Sequence, residues 1–434
     1  LSVVVIGGGL SGLFIALAIV ERGGGEVVVL DKAVRPGGVA GTIERDGFVL
    51  EQAVGSMTLP HPDLSPLLDM IGVEMRVVSP EASARHLFTG GRLVELRASP
   101  GVLLAPVVSW RARLRVLLEV WQRDGQPDGE ETLAAFFERH FGREAGGLIA
   151  WLLASGVFAG DPRRLSVRAA FPRLAALETE DGSLLRGAMR LRRRRARGLP
   201  RPGLHYPAAG MTGLAEAAAR FLGSRYRGGF AVDVVRRDGD LWVVQGPEEM
   251  RAESVVIATH PHDAAALVDD ELGSHLRRAV TAPVAVVGLG GRGPDVIPNG
   301  FGALVGPGEE LGILGILFES SYAPERAPDD SWLIKIILGG ATGPAIVDDD
   351  RLAERAQSEA EHVLGGRLDR SFVEVVRHTR GIPQYEVGHE RWLSDLGDLL
   401  AARPGLHLTG WGYRSIGITQ LATEARAMAA NLFP

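Results

Sequence analysis

The stretch VVVIGGGLSGLFIALAIV at positions 3 to 20 constrains this chain more than any other segment, because it carries no charge yet is broken by three consecutive glycines. Its hydropathy alone would suit a membrane span, but clustered glycines favour a tight turn over a continuous helix. No basic segment precedes it and no small-residue cleavage site follows, so a secretory signal is not expected. A strand, a loop and a helix account for it better. Val3 to Ile6 is suited to a buried parallel strand, and Leu10 to Val20 has helical length and composition. After Gly23-Gly24-Gly25 a second strand is expected over Glu26 to Leu30, completing a β–α–β unit of about thirty residues.

Within that unit Gly7, Gly9 and Gly12 fit GxGxxG. The first glycine permits the tight turn, the second lets backbone approach a pyrophosphate, and the third lets the helix pack on the strand. The helix start, with its unpaired N–H groups, suits the phosphates. Asp31 follows at the end of the second strand, where a carboxylate accepts from a ribose hydroxyl. FAD and NAD share this fingerprint, and segments elsewhere favour FAD. Arg35-Pro36-Gly37-Gly38 offers a second backbone loop beside the dinucleotide. GWGYRSIG at 410 to 417 brings a glycine-rich turn before the last helix, whose positive end would face the ring that becomes anionic when a flavin is reduced. An ordinary strand-to-helix turn is the alternative there.

The chain has no cysteine, which excludes disulfides, thiolate metal sites and a CxxC pair, so redox chemistry must come from a bound molecule. The eleven histidines show no HExxH spacing, and no GxSxG elbow is present. His260-Pro261-His262-Asp263 is not read as a metal cluster, since alternate residues after a strand point apart and no third ligand stands near. No metal is expected. A net charge of −6 gives no reason to expect nucleic acid. Between Arg186 and Arg201 lie eight arginines and no acid. That cluster suits anionic lipid headgroups, supplemented by apolar helical faces at 102 to 121, and equally suits a solvated loop.

Ser65 to Trp151 reads as mainly helical, with Leu114, Leu117, Leu118 and Trp121 on one apolar face and a polar break at Gln122 to Glu131. Strands are expected over 231 to 245, with Asp238-Gly239 as a hairpin turn, at Ser254 to Thr259, and in a block at 280 to 342. Leu406 to Pro434 reads as strand, loop and a helix from Ile418.

Several longer segments carry a family resemblance. They are DGFVLEQAVGSM at 46 to 57, SGVFAGDPRRLSVRAAFPRL at 155 to 174, HYPAAGMTGL at 205 to 214, GFGALV at 300 to 305, ILGILFESSYAPERAP at 313 to 328, IPQYEVGH at 382 to 389 and LHLTGWGYRSIGITQ at 406 to 420. With the N-terminal motif and RPGG, they resemble the FAD-dependent protoporphyrinogen and coproporphyrinogen oxidases of haem biosynthesis across essentially the whole chain. The resemblance implies aromatisation of a porphyrinogen by repeated hydride removal to FAD, with molecular oxygen as acceptor and hydrogen peroxide as product. Protoporphyrinogen IX is the first expectation and coproporphyrinogen III the alternative. Behind them stand another FAD amine oxidase or desaturase, and a flavin- or porphyrin-binding protein without turnover.

By the same resemblance, Arg85 anchors a propionate, with a plain surface arginine as the alternative. Gly156 lies beside the ring, where a side chain would block approach. Phe301, Leu304, Leu317 and Ile337 sandwich the macrocycle or pack as ordinary core. Leu10, Ser11, Lys32, Gly55, Ser56, Met57, Val234 and Thr259 join the cofactor set, as do Gly410, Trp411, Gly417 and Ile418. Two positions depart from the family: Trp411 stands where asparagine is usual, and Lys335 where a lysine is not. Lys335 should share a strand face with Ile337 and either reach substrate or flavin, or extend its stem to solvent.

The implied fold class is α/β in three parts. A discontinuous Rossmann-like FAD domain takes 1–84, 204–262 and 398–434, a β-rich substrate domain takes 85–98, 166–203 and 263–397, and a helical insertion takes 99–165. A cytoplasmic monomer or homodimer is expected, with peripheral contact at the inner face of the cell membrane through the insertion.

Overall fold

The computed structural model describes residues 2–96, 107–121, 129–195, 202–293, 297–344 and 351–434. The chain is mixed α/β, with a parallel sheet and a separate, larger β-rich sheet. Strand β1 (Ser2–Ile6), helix α1 (Leu10–Glu21) and strand β2 (Glu26–Asp31) follow one another as the glycine spacing predicts. β1 pairs in parallel with β2 on one side and with Ser254–Ile257 on the other. Tyr226–Gly228 extends the sheet beyond β2, and Leu406–Leu408 extends it beyond Ser254–Ile257. The strand order therefore reverses at β1. The crevice outside the carboxyl ends of strands at such a reversal is where open α/β sheets hold ligands.

α1 packs between this sheet and the C-terminal helix Ile418–Leu432, so it is buried on nearly every side and has no polar face. That burial explains its membrane-like hydropathy. A Cβ on Gly12 would lie 1.9 Å from the Gly7 carbonyl oxygen, so only glycine lets α1 start directly against the exit of β1.

The larger sheet has seven strands in the order Arg370–Pro383, Thr281–Arg292, Ser331–Gly339, Ile313–Leu317, Gly302–Val305, Arg85–Thr89 and Arg92–Leu96. One face is closed by helix Leu352–Leu364, which buries Ile334, Ile336 and Leu338. The alternate residues of that strand face the other way. Leu333 meets the ribbon Thr42–Arg45/Phe48–Glu51, whereas Ile337 lines a cavity. Helices Trp110–Leu118, Leu133–Leu153, Pro172–Asp181 and Leu184–Arg195 share a further core built on Phe136, Phe137, Phe141 and Phe158.

Three local expectations change. Within 65 to 151 the chain also forms strands Met75–Val77, Arg85–Thr89 and Arg92–Leu96. The last two are joined by Gly90 and Gly91 at φ +59° and +70°, a two-residue hairpin turn. The later hairpin closes one residue further along than expected, since Asp238 pairs with Leu241 and leaves Gly239 and Asp240 in the turn. Finally, Leu114, Leu117, Leu118 and Trp121 face outward, while Ala112 and Val116 form the buried side of their helix. Residues 102–106 of the apolar stretch, 122–128 of the polar break, and Arg197 and Arg201 lie outside the described residues. Among the described residues no helix is long and apolar enough to cross a membrane.

Candidate active site

A continuous cavity of about 2390 Å³ joins the carboxyl ends of the parallel strands to the uncovered part of the larger sheet. At its first end Gly7, Gly9, Leu10, Ser11, Asp31, Lys32, Gly37, Gly38, Ser56 and Thr259 line the wall. Gly9 bridges to Gly37, and a Cβ on Gly38 would sit 3.2 Å from the Gly9 Cα, so the two glycine loops close against each other. α1 begins with no side-chain cap and no acid in its first turn. Its first N–H groups are therefore free for an anion. The Asp31 carboxylate accepts from the Gly8 N–H and, at 2.7 Å, from the Ala33 N–H. These bonds hold it at the end of β2 with lone pairs left for a diol. Thr259 Oγ1 is buried without a partner in the same wall. A backbone cradle, an open helix start and a fixed carboxylate together fit a dinucleotide.

The closing motif reaches the same cavity through Trp411, Gly417 and Ile418. The C-terminal helix starts after Gly417 with no acid in its first turn, so its positive end faces the cavity. The Trp411 N–H donates to the Ser11 hydroxyl at 3.3 Å, and its ring stands edge-on to His260 at 6.2 Å.

Five expected cofactor residues do not themselves line the cavity. Gly12 serves helix packing, as above. Gly410 seats the C-terminal loop on α1, for a Cβ there would meet Ser11 at 2.7 Å. Gly55 gives its carbonyl to Arg326 at 2.9 Å. Met57 is buried with the side chains of α1. Val234 is 37% exposed at the start of an antiparallel strand, and Val232 lines the cavity in its place. Phe230 and Ala231 join Val232 there because the third parallel strand ends at Gly228. The Gly228-Gly229 pair was the signal for that end.

His260 and His262 also line the wall, and their rings stack at 5.4 Å instead of pointing apart. The strand has already ended at Ile257, and Pro261 opens a short helix, so strand alternation no longer applies. Burial, with His262 beside it, pushes the His260 imidazole down to about 4, leaving it neutral at physiological pH.

At the far end the structure brings together Arg85, Gly156, Phe301, Leu304, Leu317 and Ile337. Gly156 belongs to a single π-helical turn, Ala154–Phe158, and a Cβ on it would lie 3.2 Å from Leu304 Cδ1. Such turns recur at functional sites. The Arg85 guanidinium lies 5.3 Å from the Phe301 ring centroid. Leu185, Ala188, Met189 and Arg192, one face of helix Leu184–Arg195, line the cavity as well, as do Leu117 and Val120. Among the described residues Arg192 is the member of the arginine cluster that reaches the site, and sequence alone did not single it out.

Lys335 does share a strand face with Ile337, but neither expectation for its side chain holds. It is 1% exposed, does not line the cavity, and pairs with buried Glu319 at 2.8 Å. Burial works to raise the Glu319 carboxyl, but Lys335 and Arg326 outweigh it and hold the group below the usual carboxylate range.

A family model described as flavin containing amine oxidoreductase matches residues 10–417. The chain is 29% identical to a chloroplastic protoporphyrinogen oxidase of Oryza sativa subsp. japonica, over 97% of this chain and 84% of that protein. It is 25% identical to the coproporphyrinogen III oxidase of Bacillus subtilis (strain 168), over 99% and 97%. Among solved structures, a chain from Exiguobacterium sp. 255-15 superposes with a TM-score of 0.84 at 21% identity, covering 99% of this chain and 98% of that one.

Proposed function

The chain belongs to the flavin containing amine oxidoreductase family, and from that premise we propose that it is an FAD-dependent porphyrinogen oxidase. One observation carries the reading: a single cavity joins the glycine-cradled dinucleotide end to an apolar wall of the larger sheet, with Gly156 and Leu304 on its lining. Relatives named for protoporphyrinogen and coproporphyrinogen III align along nearly the whole chain, which supports the substrate class.

The bound flavin supplies the hydride acceptor, with molecular oxygen as the proposed final acceptor and hydrogen peroxide as product. The protein's part is orientation. Phe301, Leu304, Leu317 and Ile337 hold a flat apolar macrocycle, and Gly156 leaves room for it to approach closely. Arg85 and Arg192 take its carboxylates. Arg380, the other cavity-lining arginine, is paired with Asp263 at 3.2 Å, whereas neither Arg85 nor Arg192 has an ion pair among the described residues. Two guanidinium groups without a carboxylate partner among the described residues match two propionates, which favours protoporphyrinogen IX over the four-propionate coproporphyrinogen III. Growth of porphyrin fluorescence in air, with each porphyrinogen against a control without enzyme, tests this. Protoporphyrinogen IX is expected to react faster. Faster reaction of coproporphyrinogen III would reverse the preference, and no growth with either, despite bound FAD, would remove the assignment.

We also propose peripheral contact with an anionic membrane through the segment 110–121. Trp110 and Trp121 are 68% and 74% exposed, and Leu117 belongs both to this outward face and to the cavity lining. An amphipathic body with a polar edge suits tryptophan at a headgroup boundary. Flotation with vesicles containing anionic lipid should carry the protein upward, and Trp110→Ala/Trp121→Ala should stay at the bottom. Equal behaviour of the two proteins would leave these residues as plain surface.

A further inference from the structure

A group of buried charges lies just behind the cavity wall, and the reaction as described makes no use of it. Glu319 holds Lys335 Nζ at 2.8 Å, pairs with the Arg326 guanidinium, and accepts from the Tyr322 hydroxyl at 2.6 Å. The two cations then reach past Glu319 to one loop. Lys335 Nζ donates to the Ala53 carbonyl at 3.0 Å and the Glu51 carbonyl at 3.4 Å, and Arg326 donates to the Gly55 carbonyl at 2.9 Å. Alternate carbonyls of residues 51 to 55 are thus all turned toward cations.

Ala53, Val54 and Ser56 of that loop line the cavity. The loop is also tied to the dinucleotide end, since the Gln52 N–H donates to the Gly41 carbonyl at 2.8 Å. Gly41 follows the stretch Gly37, Gly38, Val39 and Ala40, which lines the cavity beside the first glycine loop. Lys335 therefore stands where the ribbon covering Leu333 ends and the cavity over Ile337 begins. Desolvating these charges is costly, and an apolar side chain on the strand would avoid it. Removing the ammonium would leave two loop carbonyls without their donor.

We propose that Lys335 is a positioning residue for the flavin: it grips the 51–56 loop by its carbonyls and sets Ala53, Val54 and Ser56 against the bound dinucleotide. The inference rests on the flavin reading above and not on the porphyrinogen substrate. In the test, apo-protein is titrated with FAD, and the dissociation constant and the flavin absorption bands are recorded for wild type, Lys335→Met and Lys335→Gln. Lys335→Met should weaken FAD binding by about tenfold or more and shift the bands, the size usual for groups that orient a ligand's direct contacts. Lys335→Gln, which keeps an N–H for the Ala53 carbonyl, should recover most of the affinity. Lys335→Met/Glu319→Gln removes both members of the ion pair and carries the same expectation if the single variant fails to fold. A methionine variant, single or double, that binds FAD with wild-type affinity and spectrum overturns the proposal. Wild type that binds FAD but turns over no porphyrinogen would sink the substrate reading and leave this one standing.

Discussion

Gly156→Leu is expected to lower porphyrinogen turnover by about 100-fold or more while the protein keeps its flavin and its fold. Gly156 is exposed to the cavity and does not have the left-handed backbone that would bar a side chain. A Cβ there is already 3.2 Å from Leu304 Cδ1, so the rest of a leucine must extend into the cavity or displace Leu304. Either outcome occupies the space assigned to the macrocycle, and a ring held off by even about 1 Å loses its approach for hydride transfer. The proposed flavin contacts lie on the glycine loops, the 51–56 loop and the closing motif, so FAD content should stay near wild type. Gly147→Ala is the control, because a Cβ at that helical position meets nothing within 4 Å. It should leave turnover unchanged and favour the helix slightly. Wild-type kcat/KM in Gly156→Leu would place the macrocycle elsewhere.

The parts of this arrangement that sequence made legible are those whose signal is local. Three glycines, an apolar helix and an acid at the end of the next strand are bound by short-range geometry, and Gly7, Gly9 and Asp31 meet in one wall. The resemblance named Val234, whereas Val232 is the valine of that segment on the cavity lining, because the strand expected from 231 starts at Val234. The hairpin across Gly90-Gly91 was hidden by helical signals on both sides. Lys335 was misread for another reason. Its partner Glu319 lies on a different element, and nothing in the alternation of Ser331–Gly339 says that a carboxylate will stand opposite. Arg192 likewise looked like one charge among eight until its helix was placed. Buried polar pairs depend on tertiary placement, so local pattern carries little of them.

The helical unit at the cavity's far end holds another such network, and Glu119→Ala is expected to destabilise the folded protein by roughly 3–5 kcal/mol. Glu119 is fully buried. It accepts from His140 Nδ1 at 3.0 Å, the Ser183 hydroxyl at 2.7 Å, and the N–H groups of Leu184 and Leu185 at 2.7 and 3.1 Å. The last two are the opening amides of helix Leu184–Arg195, capped here by a residue far away in the chain. The other nitrogen of His140 meets Glu178 at 3.1 Å, and Arg139 ties Glu178 to Glu131. Alanine at 119 would strand the imidazole, the hydroxyl and the helix start together. Burial works to raise the Glu119 carboxyl, but His140, Ser183 and the two amides outweigh it and hold it below its ordinary 4.5. Its contribution is therefore complete above about pH 4.5 and lost as pH falls through the lowered value, so wild type and variant should converge in acid. Urea unfolding at pH 7 and at pH 3 measures both effects. Because Leu117 and Val120 lie within two residues of Glu119, Leu185 carries one of the capped amides and Ala188 follows on the same helix, all four lining the cavity, the variant's remaining folded protein should show a raised KM with a smaller change in kcat. A loss below about 1 kcal/mol at pH 7 would mean that water replaces these hydrogen bonds and that the network does not hold this end of the cavity together.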